Sequence, residues 1–389
     1  MVEQDTRSRA FGFLLITLSH ALNHVYDALL PVLYPSIISE FNLSYSFVGL
    51  VVMGYRLSSG ALQLVVGFLG RFVRRKVLLG VGMIWQSLMN VFVALSSRFE
   101  HIFVSRTFAG IGASPQHPTG AAFIAEHFPP SQVGRAMGLN VTAAQVGRFL
   151  APFLGTLLLP LVGWRSAILV FSLPGLLVGI AFLFITEPRR AGGEAGLSRV
   201  AAFSNGVRAV IRNRTVLMIL LLETVMAFRA GAADFIPSYL IRDMGIPSLE
   251  AGVLFTVFLG AGIPAPYFWG YLSDRFERKK ILTVVMALAT LFWFLLPYGR
   301  SSAQFLLLLI PLGFVCQGVG GIIQAYVAVV TPRENRDLIY GIFFTLAYVL
   351  GSFSPVIQGY LADTIGFSVS FTYVAFISSL AAIVSYFLH

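Results

Sequence analysis

Apolar runs of about 20 residues recur along the whole chain and are separated by short polar stretches. Because an α-helix rises about 1.5 Å per residue, a run of this length crosses the ~30 Å hydrocarbon core of a bilayer. The pattern predicts an all-α membrane protein with twelve transmembrane helices. The predicted spans are 11–36, 45–68, 77–96, 101–125, 133–160, 166–186, 215–241, 250–272, 281–298, 302–330, 338–361 and 367–388.

A repeat of glycine and proline positions divides the chain into two halves. A single offset of 203 residues relates Gly49 and Gly252, Gly67 and Gly270, Gly110 and Gly313, Pro129 and Pro332, Gly138 and Gly341, and Pro152 and Pro355. Such a run of matches at one offset indicates an internal repeat. We predict two pseudo-symmetric six-helix bundles, 1–188 and 215–389, joined by a polar cytoplasmic linker at 189–214. Repeats of this kind generally place a substrate site between the halves near the membrane midplane.

Composition and charge define the environment of the chain. Only 11% of residues are charged, and the mean hydropathy is +0.82, whereas a soluble domain carries about 25% charged residues. If the N-terminus is cytoplasmic, 19 of the 27 Lys and Arg residues fall in loops on that side. Positive charge inside therefore predicts a multi-pass protein of the inner membrane with both termini in the cytoplasm. This bias also explains the net charge of +10, and we expect no nucleic-acid partner because the basic residues form no single stripe.

Several classes of chemistry find no support in the sequence. Cys316 is the only cysteine, and we identify no Cys/His pair at ligand spacing, so we expect no metal site. There is no GxxxxGK[ST] loop for direct ATP coupling. No combination of nucleophile, base and oxyanion donors emerges, so we do not expect an enzyme. We expect no cofactor, a proton gradient as the energy source, and a monomer.

Two related loop sequences follow predicted helices two and eight. They read GFLGRFVRRK from Gly67 and GYLSDRFERK from Gly270. The second resembles the signature GxLxDRxGRR of the major facilitator superfamily. A glycine lets a helix end turn tightly, and the charges can form hydrogen bonds that break as the halves rock; alternatively, these residues only anchor the loops on the cytoplasmic side. The gating candidates from these loops are Gly67, Arg71, Arg75, Gly270, Asp274, Arg275 and Arg278; in the first copy, Arg71 stands where the acid is usual.

Two motifs inside predicted helices strengthen the resemblance. RTFAGIGA from Arg106 is similar to the buried-arginine motif RxxxGxG of the superfamily, and GRFLAPFLGT from Gly147 resembles its antiporter motif. Gly147 and Pro152 of this second motif are further gating candidates. The resemblance covers nearly the whole chain and implies the twelve-helix major facilitator fold with alternating access. The segment HALNHVYDALLPVLYPSI from His20, together with His117, resembles the fosmidomycin-resistance branch and related small drug or organic-anion efflux proteins.

Ionisable residues inside the predicted spans are the candidates for transport chemistry, since charges in a membrane usually line a cavity or pair with one another. His20, Asn23, His24 and Asp27 follow an i, i+3, i+4, i+7 pattern on one face of helix one. In helix four, Arg106 and His117 are eleven residues apart and should return to within about 20° of one face. The same spacing relates Glu223 and Asp234 in helix seven. Glu126 is a candidate gate partner for Arg71 or Arg75.

The deep set carries more positive than negative charge, which favours an anion in a low-dielectric cavity. Arginine binds carboxylate, phosphate or phosphonate through two parallel hydrogen bonds. Alternatively, some of these arginines only neutralise the buried acids, and the polar residues of the second half only join helices. The predicted substrate-binding residues are Arg56, Gln63, His117, Arg148, Arg229, Gln317 and Tyr348. The predicted proton-coupling residues are His20, His24, Asp27, Arg106, Glu223 and Asp234.

These residues predict a secondary active transporter for a small organic anion or an anionic amphiphile or drug, with the lipid bilayer, protons and the solute as partners. Proton-coupled antiport in the efflux direction is the first hypothesis. Uptake of an organic anion by proton coupling or exchange is the alternative, because the gradients set the direction. A membrane sensor that binds a ligand without transporting it is a remote third.

Overall fold

Long apolar helices dominate the chain, as the sequence predicts. The structure is a computed structural model and describes residues 2–69, 73–128, 130–185, 213–330 and 336–388. Within these ranges the regular elements are all helical. The α-helices of ten residues or more are α1 Val2–Ala28, α2 Leu30–Phe41, α3 Tyr45–Leu69, α4 Arg75–Ala94, α5 Phe99–Ala113, α6 Gln116–His127, α7 Pro130–Leu183, α8 Arg214–Ala227, α9 Ser248–Ala261, α10 Ala265–Arg275, α11 Arg278–Leu295, α12 Ser302–Cys316, α13 Val319–Val330, α14 Arg336–Thr345, α15 Ser354–Thr364 and α16 Phe367–Tyr386.

The predicted membrane-helix fold is confirmed. Among the described residues, eight stretches are long and apolar enough to cross a membrane. The predicted second, fourth and tenth helices correspond to α3, to α5 with α6, and to α12 with α13. The eight stretches are Ala10–Phe41, Arg75–Ala94, Ala136–Leu183, Arg214–Asp243, Ser248–Arg275, Arg278–Tyr298, Ile342–Thr364 and Phe367–Tyr386.

Local chemistry sets several of the helix boundaries. Gly163 has φ 72° and ψ 168°, a conformation essentially restricted to glycine, and it separates the predicted fifth and sixth helices within α7. The side chain of Asn213 accepts a hydrogen bond of 3.1 Å from the backbone N–H of Val216, which caps the first turn of α8. α8 ends at Ala227, and Gly231 follows with φ 78°.

The chain divides into two structural units. The first comprises Met1–Leu43 and Leu50–Gly193, and the second comprises Ser44–Gly49 and Glu194–His389. In the first unit, α7 packs against both α1 and α4. In the second unit, α11 packs against α16, and α9 packs against α12. Most of the predicted linker 189–214 lies outside the described residues.

Equivalent close contacts occur in both units. A Cβ atom built on Gly110 would overlap the carbonyl oxygen of Tyr55, and one built on Gly313 would overlap the carbonyl oxygen of Phe258. Both members of the second contact lie 203 residues after those of the first. The offset that the glycine and proline positions revealed therefore also relates tertiary contacts, as expected if two repeats share one packing arrangement.

Candidate functional site

Three histidines come together inside the first unit. His20 and His24 lie on α1, and His117 lies on α6. Their ring centroids are 5.0 Å apart for His20 and His24, 5.2 Å for His20 and His117, and 6.0 Å for His24 and His117. The structure thus joins three of the predicted site residues in one group, which we call the histidine cluster.

Hydrogen bonds fix how two of these rings are oriented. Nδ1 of His20 lies 3.1 Å from the backbone oxygen of Asn140 on α7. A carbonyl oxygen only accepts, so His20 carries its proton on Nδ1 in this contact. Nε2 of His20 is buried and has no hydrogen-bond partner among the described residues. Nδ1 of His24 lies 3.2 Å from an Nη2 atom of Arg148, and it must accept because a guanidinium only donates.

Close helix packing places Arg148 beside His24. A Cβ atom on Gly147 would overlap the backbone oxygen of Ala21, which lies between the two histidines of α1 in sequence. Glycine therefore allows α7 to approach the backbone of α1. The glycine that the sequence indicated as part of a gating motif also brings the next residue, Arg148, to the histidine cluster.

A second polar group surrounds Arg106 on α5. Nη1 of Arg106 donates to the Asn90 side chain at 3.2 Å and lies 3.5 Å from the backbone oxygen of Tyr26. Its guanidinium carbon lies 4.3 Å from the ring centroid of Tyr55, within range of a cation–π interaction. The residue is 2% exposed, and Nε has no hydrogen-bond partner among the described residues. No described carboxylate forms an ion pair with this buried charge.

Arg106 and His117 belong to different polar groups. Arg106 contacts α1, α3 and α4, whereas His117 joins the histidine cluster. Ser114 and Pro115, between α5 and α6, both keep right-handed helical dihedral angles, so the predicted shared face stays a prediction. The eleven residues between Arg106 and His117 correspond to about 16 Å along a helix axis, and this distance places the two side chains in separate groups.

The sequence analysis named Asn23 but missed its polar neighbours in the first unit: Tyr55, Gln86, Asn90 and Asn140. Nδ2 of Asn23 donates to Gln86 at 3.4 Å, and Nε2 of Gln86 donates to the Tyr55 hydroxyl at 3.1 Å. With Asn90 and Asn140, these residues hold the predicted arginine and histidines in place. Asn140 could have been identified from the sequence. It precedes Gly147 by seven residues, which is two helical turns, and so shares a face of α7 with it.

The other candidates of the first unit occupy separate positions. Asp27 is half-buried on α1, and its carboxylate has no hydrogen bond or ion pair with any described residue. Arg56 and Gln63 are both half-buried on α3. Nε2 of Gln63 is buried without a hydrogen-bond partner in the described part of the chain. The structure does not place these three side chains in the histidine cluster.

The second unit contains the remaining charged candidates. Glu223 is 8% exposed on α8, and Nη1 of Arg229 lies 3.8 Å from Sγ of Cys316. The predicted shared face of Glu223 and Asp234 is wrong, because α8 ends at Ala227 and Asp234 lies in the 3-10 turn Ala232–Phe235.

The neutral candidates of the second unit lie at irregular points of the chain. Gln317 occupies the break between α12 and α13, and Tyr348 lies in the π-helical turn Leu346–Leu350. A Cβ atom on Gly262 would overlap the side chain of Gln317, so this glutamine packs closely against the end of α9. Helical spacing therefore does not determine the direction of either side chain.

The gating candidates are only partly described. Arg71 and the side chain of Glu126 lie outside the described residues, so their predicted pairing stays a prediction. Gly67 lies within α3, Arg75 is buried at the start of α4, and Pro152 is buried within α7. Gly270 lies inside α10, where a Cβ atom would meet nothing within 4 Å. The tight turn expected at Gly270 is therefore wrong.

Charged pairs span the junction between α10 and α11. Arg278 donates to Asp274 at 3.1 Å, and Arg275 lies 4.5 Å from the Tyr271 ring centroid. Lys280 donates to Glu277 at 3.0 Å, and this hydrogen bond lowers the pKa of the exposed Glu277 carboxyl. Of these contacts, the pair of Arg278 with Asp274 joins the end of α10 to the start of α11.

Comparisons with known proteins agree with this architecture. The family model described as "Major Facilitator Superfamily" matches residues 16–247 and 224–389. The chain is 24% identical over 364 residues to the fosmidomycin resistance protein of Escherichia coli K12, covering 92% of this chain and 88% of that protein. It is 22% identical over 390 residues to a probable L-galactonate transporter of the same organism, covering 94% and 86%.

A solved structure shows the same fold. A bacterial homologue of the human lysosomal transporter Spinster superposes with a TM-score of 0.82 at 17% sequence identity, covering 97% of this chain and 96% of the other. Together with the family match along both halves, this shows that the chain is a multi-pass membrane transporter of small solutes and belongs to the Major Facilitator Superfamily.

Proposed function

We propose that the protein is a secondary transporter of a small organic anion, driven by proton antiport in the efflux direction. The observation that carries the proposal is how few partners Arg148 has. Its one hydrogen bond to a described residue goes to Nδ1 of His24, and an imidazole that accepts at Nδ1 is neutral. A guanidinium has five N–H donors, so most of its capacity remains for a solute, and no described carboxylate pairs with its charge.

The chemistry of these side chains selects the substrate class. Carboxylates, phosphates and phosphonates match the planar fork of arginine, and the second buried cation at Arg106 adds positive potential to the same unit. Two of the related proteins support this choice through their names: one confers resistance to fosmidomycin, a phosphonate, and the other is a probable transporter of L-galactonate, a carboxylate.

Asp27 is the proposed proton carrier. Its half-buried carboxylate lies on the same helix as His20 and His24 and has no partner among the described residues. Carboxylates inside membrane spans commonly form part of proton relays in transporters. Alternating exposure to the two sides of the cytoplasmic membrane would let Asp27 bind and release a proton, with both termini in the cytoplasm as the distribution of basic residues favours.

Flux into proteoliposomes tests the substrate class. The purified protein is reconstituted and assayed with L-galactonate and fosmidomycin, and with tetraphenylphosphonium as the cationic control. We expect saturable uptake of an anion and none of the cation. Arg148→Gln should reduce anion flux about 10- to 150-fold, because this factor corresponds to the free energy of one hydrogen bond to a charged group. Arg98→Gln, which alters an exposed arginine, should have no effect, and equal flux in both variants would contradict the role of Arg148.

The direction of the imposed pH gradient separates antiport from uptake by symport. An antiporter accumulates the anion when the liposome lumen is acidic, whereas a proton symporter does so when the outside is acidic. Asp27→Asn should abolish this dependence while solute exchange persists, and unchanged proton-driven flux would reject Asp27 as the carrier. A sensor would bind the anion but move none of it.

A further inference from the structure

The histidine cluster has the composition of a metal site. We propose that His20, His24 and His117 bind a divalent transition-metal ion such as Zn²⁺, and that an anion bound by Arg148 completes its coordination. One potential ligand atom from each histidine lies within 4.8 Å of the others. Imidazole is the common protein ligand for Zn²⁺, Ni²⁺ and Cu²⁺, and three histidines with one open position form a known type of zinc site.

The distances require only a small contraction. Zinc binds imidazole nitrogen at about 2.0–2.1 Å, so two nitrogens of a tetrahedral site lie about 3.4 Å apart. Closing a separation of 4.8 Å to that value needs a shift of about 1.4 Å shared between two rings. Rotations of the side chains can supply it, since His24 and His117 are only partly buried.

His20 is already oriented as a ligand. Its Nδ1–H donates to the backbone oxygen of Asn140, the contact that typically fixes the tautomer and ring direction of a metal-binding histidine. The same tautomer leaves the lone pair on Nε2, which is buried without a hydrogen-bond partner among the described residues. His20 itself is 6% exposed, so an unused acceptor of this kind is costly unless something binds to it.

Metal binding changes the position of Arg148. If His24 binds the metal through Nδ1, that lone pair can no longer accept from Arg148. If it binds through Nε2, Nδ1 carries the proton and again cannot accept. In either case the hydrogen bond of 3.2 Å between Arg148 and His24 is lost, and the guanidinium is released to bind an anion.

Charge balance explains why the metal and the anion should bind together. The cluster contains no carboxylate, so a divalent ion bound there adds to the charge of Arg148 in a low-dielectric site. An anion that both ligates the metal and pairs with Arg148 offsets this repulsion. Each should therefore raise the affinity of the other by the same factor, about 5- to 150-fold for a typical coupling. The anion as fourth ligand rests on the proposed function, whereas metal binding by the histidines does not.

Cobalt provides a direct test. The protein is purified in detergent without a polyhistidine tag and titrated with Co²⁺, with and without L-galactonate. We expect the visible absorption of a tetrahedral Co²⁺ site, saturation at one ion per chain, and displacement by Zn²⁺. His117→Ala should weaken binding at least tenfold or abolish it, whereas the matched variant His101→Ala, which alters an exposed histidine of α5, should bind like the unmodified protein.

Each result has a defined meaning. Absence of a saturable Co²⁺ spectrum in the unmodified protein overturns the proposal whether or not any variant folds, and so does a spectrum that survives both His117→Ala and His20→Ala. Affinity for Co²⁺ that no anion alters overturns the assignment of the fourth ligand. If the titration shows no Co²⁺ binding but the protein still transports the anion in liposomes that contain a strong chelator, the proposed function stands and only the metal site is rejected.

Discussion

Replacing Gly147 with alanine tests whether close packing of α7 on α1 builds the candidate site. A Cβ atom at this position would overlap the backbone oxygen of Ala21 and lie 2.9 Å and 3.0 Å from its carbonyl carbon and Cα. Because backbone atoms cannot rotate away as a side chain could, the two helices must separate. The hydrogen bond between Arg148 and His24, now 3.2 Å, should then lengthen or break.

The magnitude follows from a comparison within one helix. Alanine in a helix interior is about 1 kcal/mol more stable than glycine. Gly138, also on α7, should show this gain alone, because a Cβ atom there would meet no atom within 4 Å. At Gly147 the same gain is opposed by overpacking, which costs about 1–3 kcal/mol. The free energies of unfolding of the two variants should therefore differ by about 1–3 kcal/mol.

Thermal unfolding of the purified variants in detergent measures this difference, and anion flux in liposomes measures its effect on the site. Gly138→Ala should unfold at or above the temperature of the unmodified protein and retain flux. Gly147→Ala should unfold at a lower temperature than Gly138→Ala and lose flux. Equal unfolding temperatures for the two variants would show that α1 and α7 do not approach closely at Ala21, and the packing argument would have to be abandoned.

Four further substitutions test other contacts. Arg106→Met should reduce anion flux at least tenfold without lowering stability, since it replaces a buried charge by an apolar side chain of similar size; unchanged flux would remove Arg106 from the mechanism. Lys76→Ala should destabilise the protein by about 1–2 kcal/mol in denaturation assays because Lys76 donates to two backbone oxygens near the end of α7. Lys280→Ala is the control for Lys76→Ala, because it breaks only an exposed ion pair and should cost less than about 1 kcal/mol. Equal losses of stability in the two lysine variants would contradict a larger contribution from the contacts of Lys76. Gly163→Ala should lower the unfolding temperature, since φ 72° and ψ 168° strain any other residue by about 1–3 kcal/mol; an unchanged temperature would argue against this turn.

Periodicity predicted the fold and part of the site because both depend on unbroken helices. The polar stripe of α1 is one continuous helical face, and the structure buries His20 and Asn23 at 6% exposure each. The repeat also follows from sequence, since Gly110 and Gly313 occupy equivalent contacts. Where a helix continues without a break, angular spacing is a sound guide to which residues lie together.

The same arithmetic failed where a helix was interrupted. The turn at Gly231, with φ 78°, separates Glu223 from Asp234. This turn does not remove enough apolar character to interrupt the hydrophobic run, so the span still looks like one helix. The convergence of His117 with α1 also depends on how α6 packs, which no local pattern encodes.

Comparing the two repeats position by position distinguishes residues required by packing from residues required by chemistry. At the offset of 203, His24 and Arg148 correspond to Ala227 and Gly351. A Cβ atom on Gly351 would lie 3.4 Å from the backbone oxygen of Ala227, so the helices approach at this point in both units. The contact between Arg148 and His24 is therefore not needed to bring these helices together. Equally, His117 corresponds to Gly320 and Arg106 to the fully buried Leu309. Since a residue without charge occupies the same position in the second repeat, helix packing alone does not require the charged residue in the first, which is consistent with the proposed roles of His117 and Arg106.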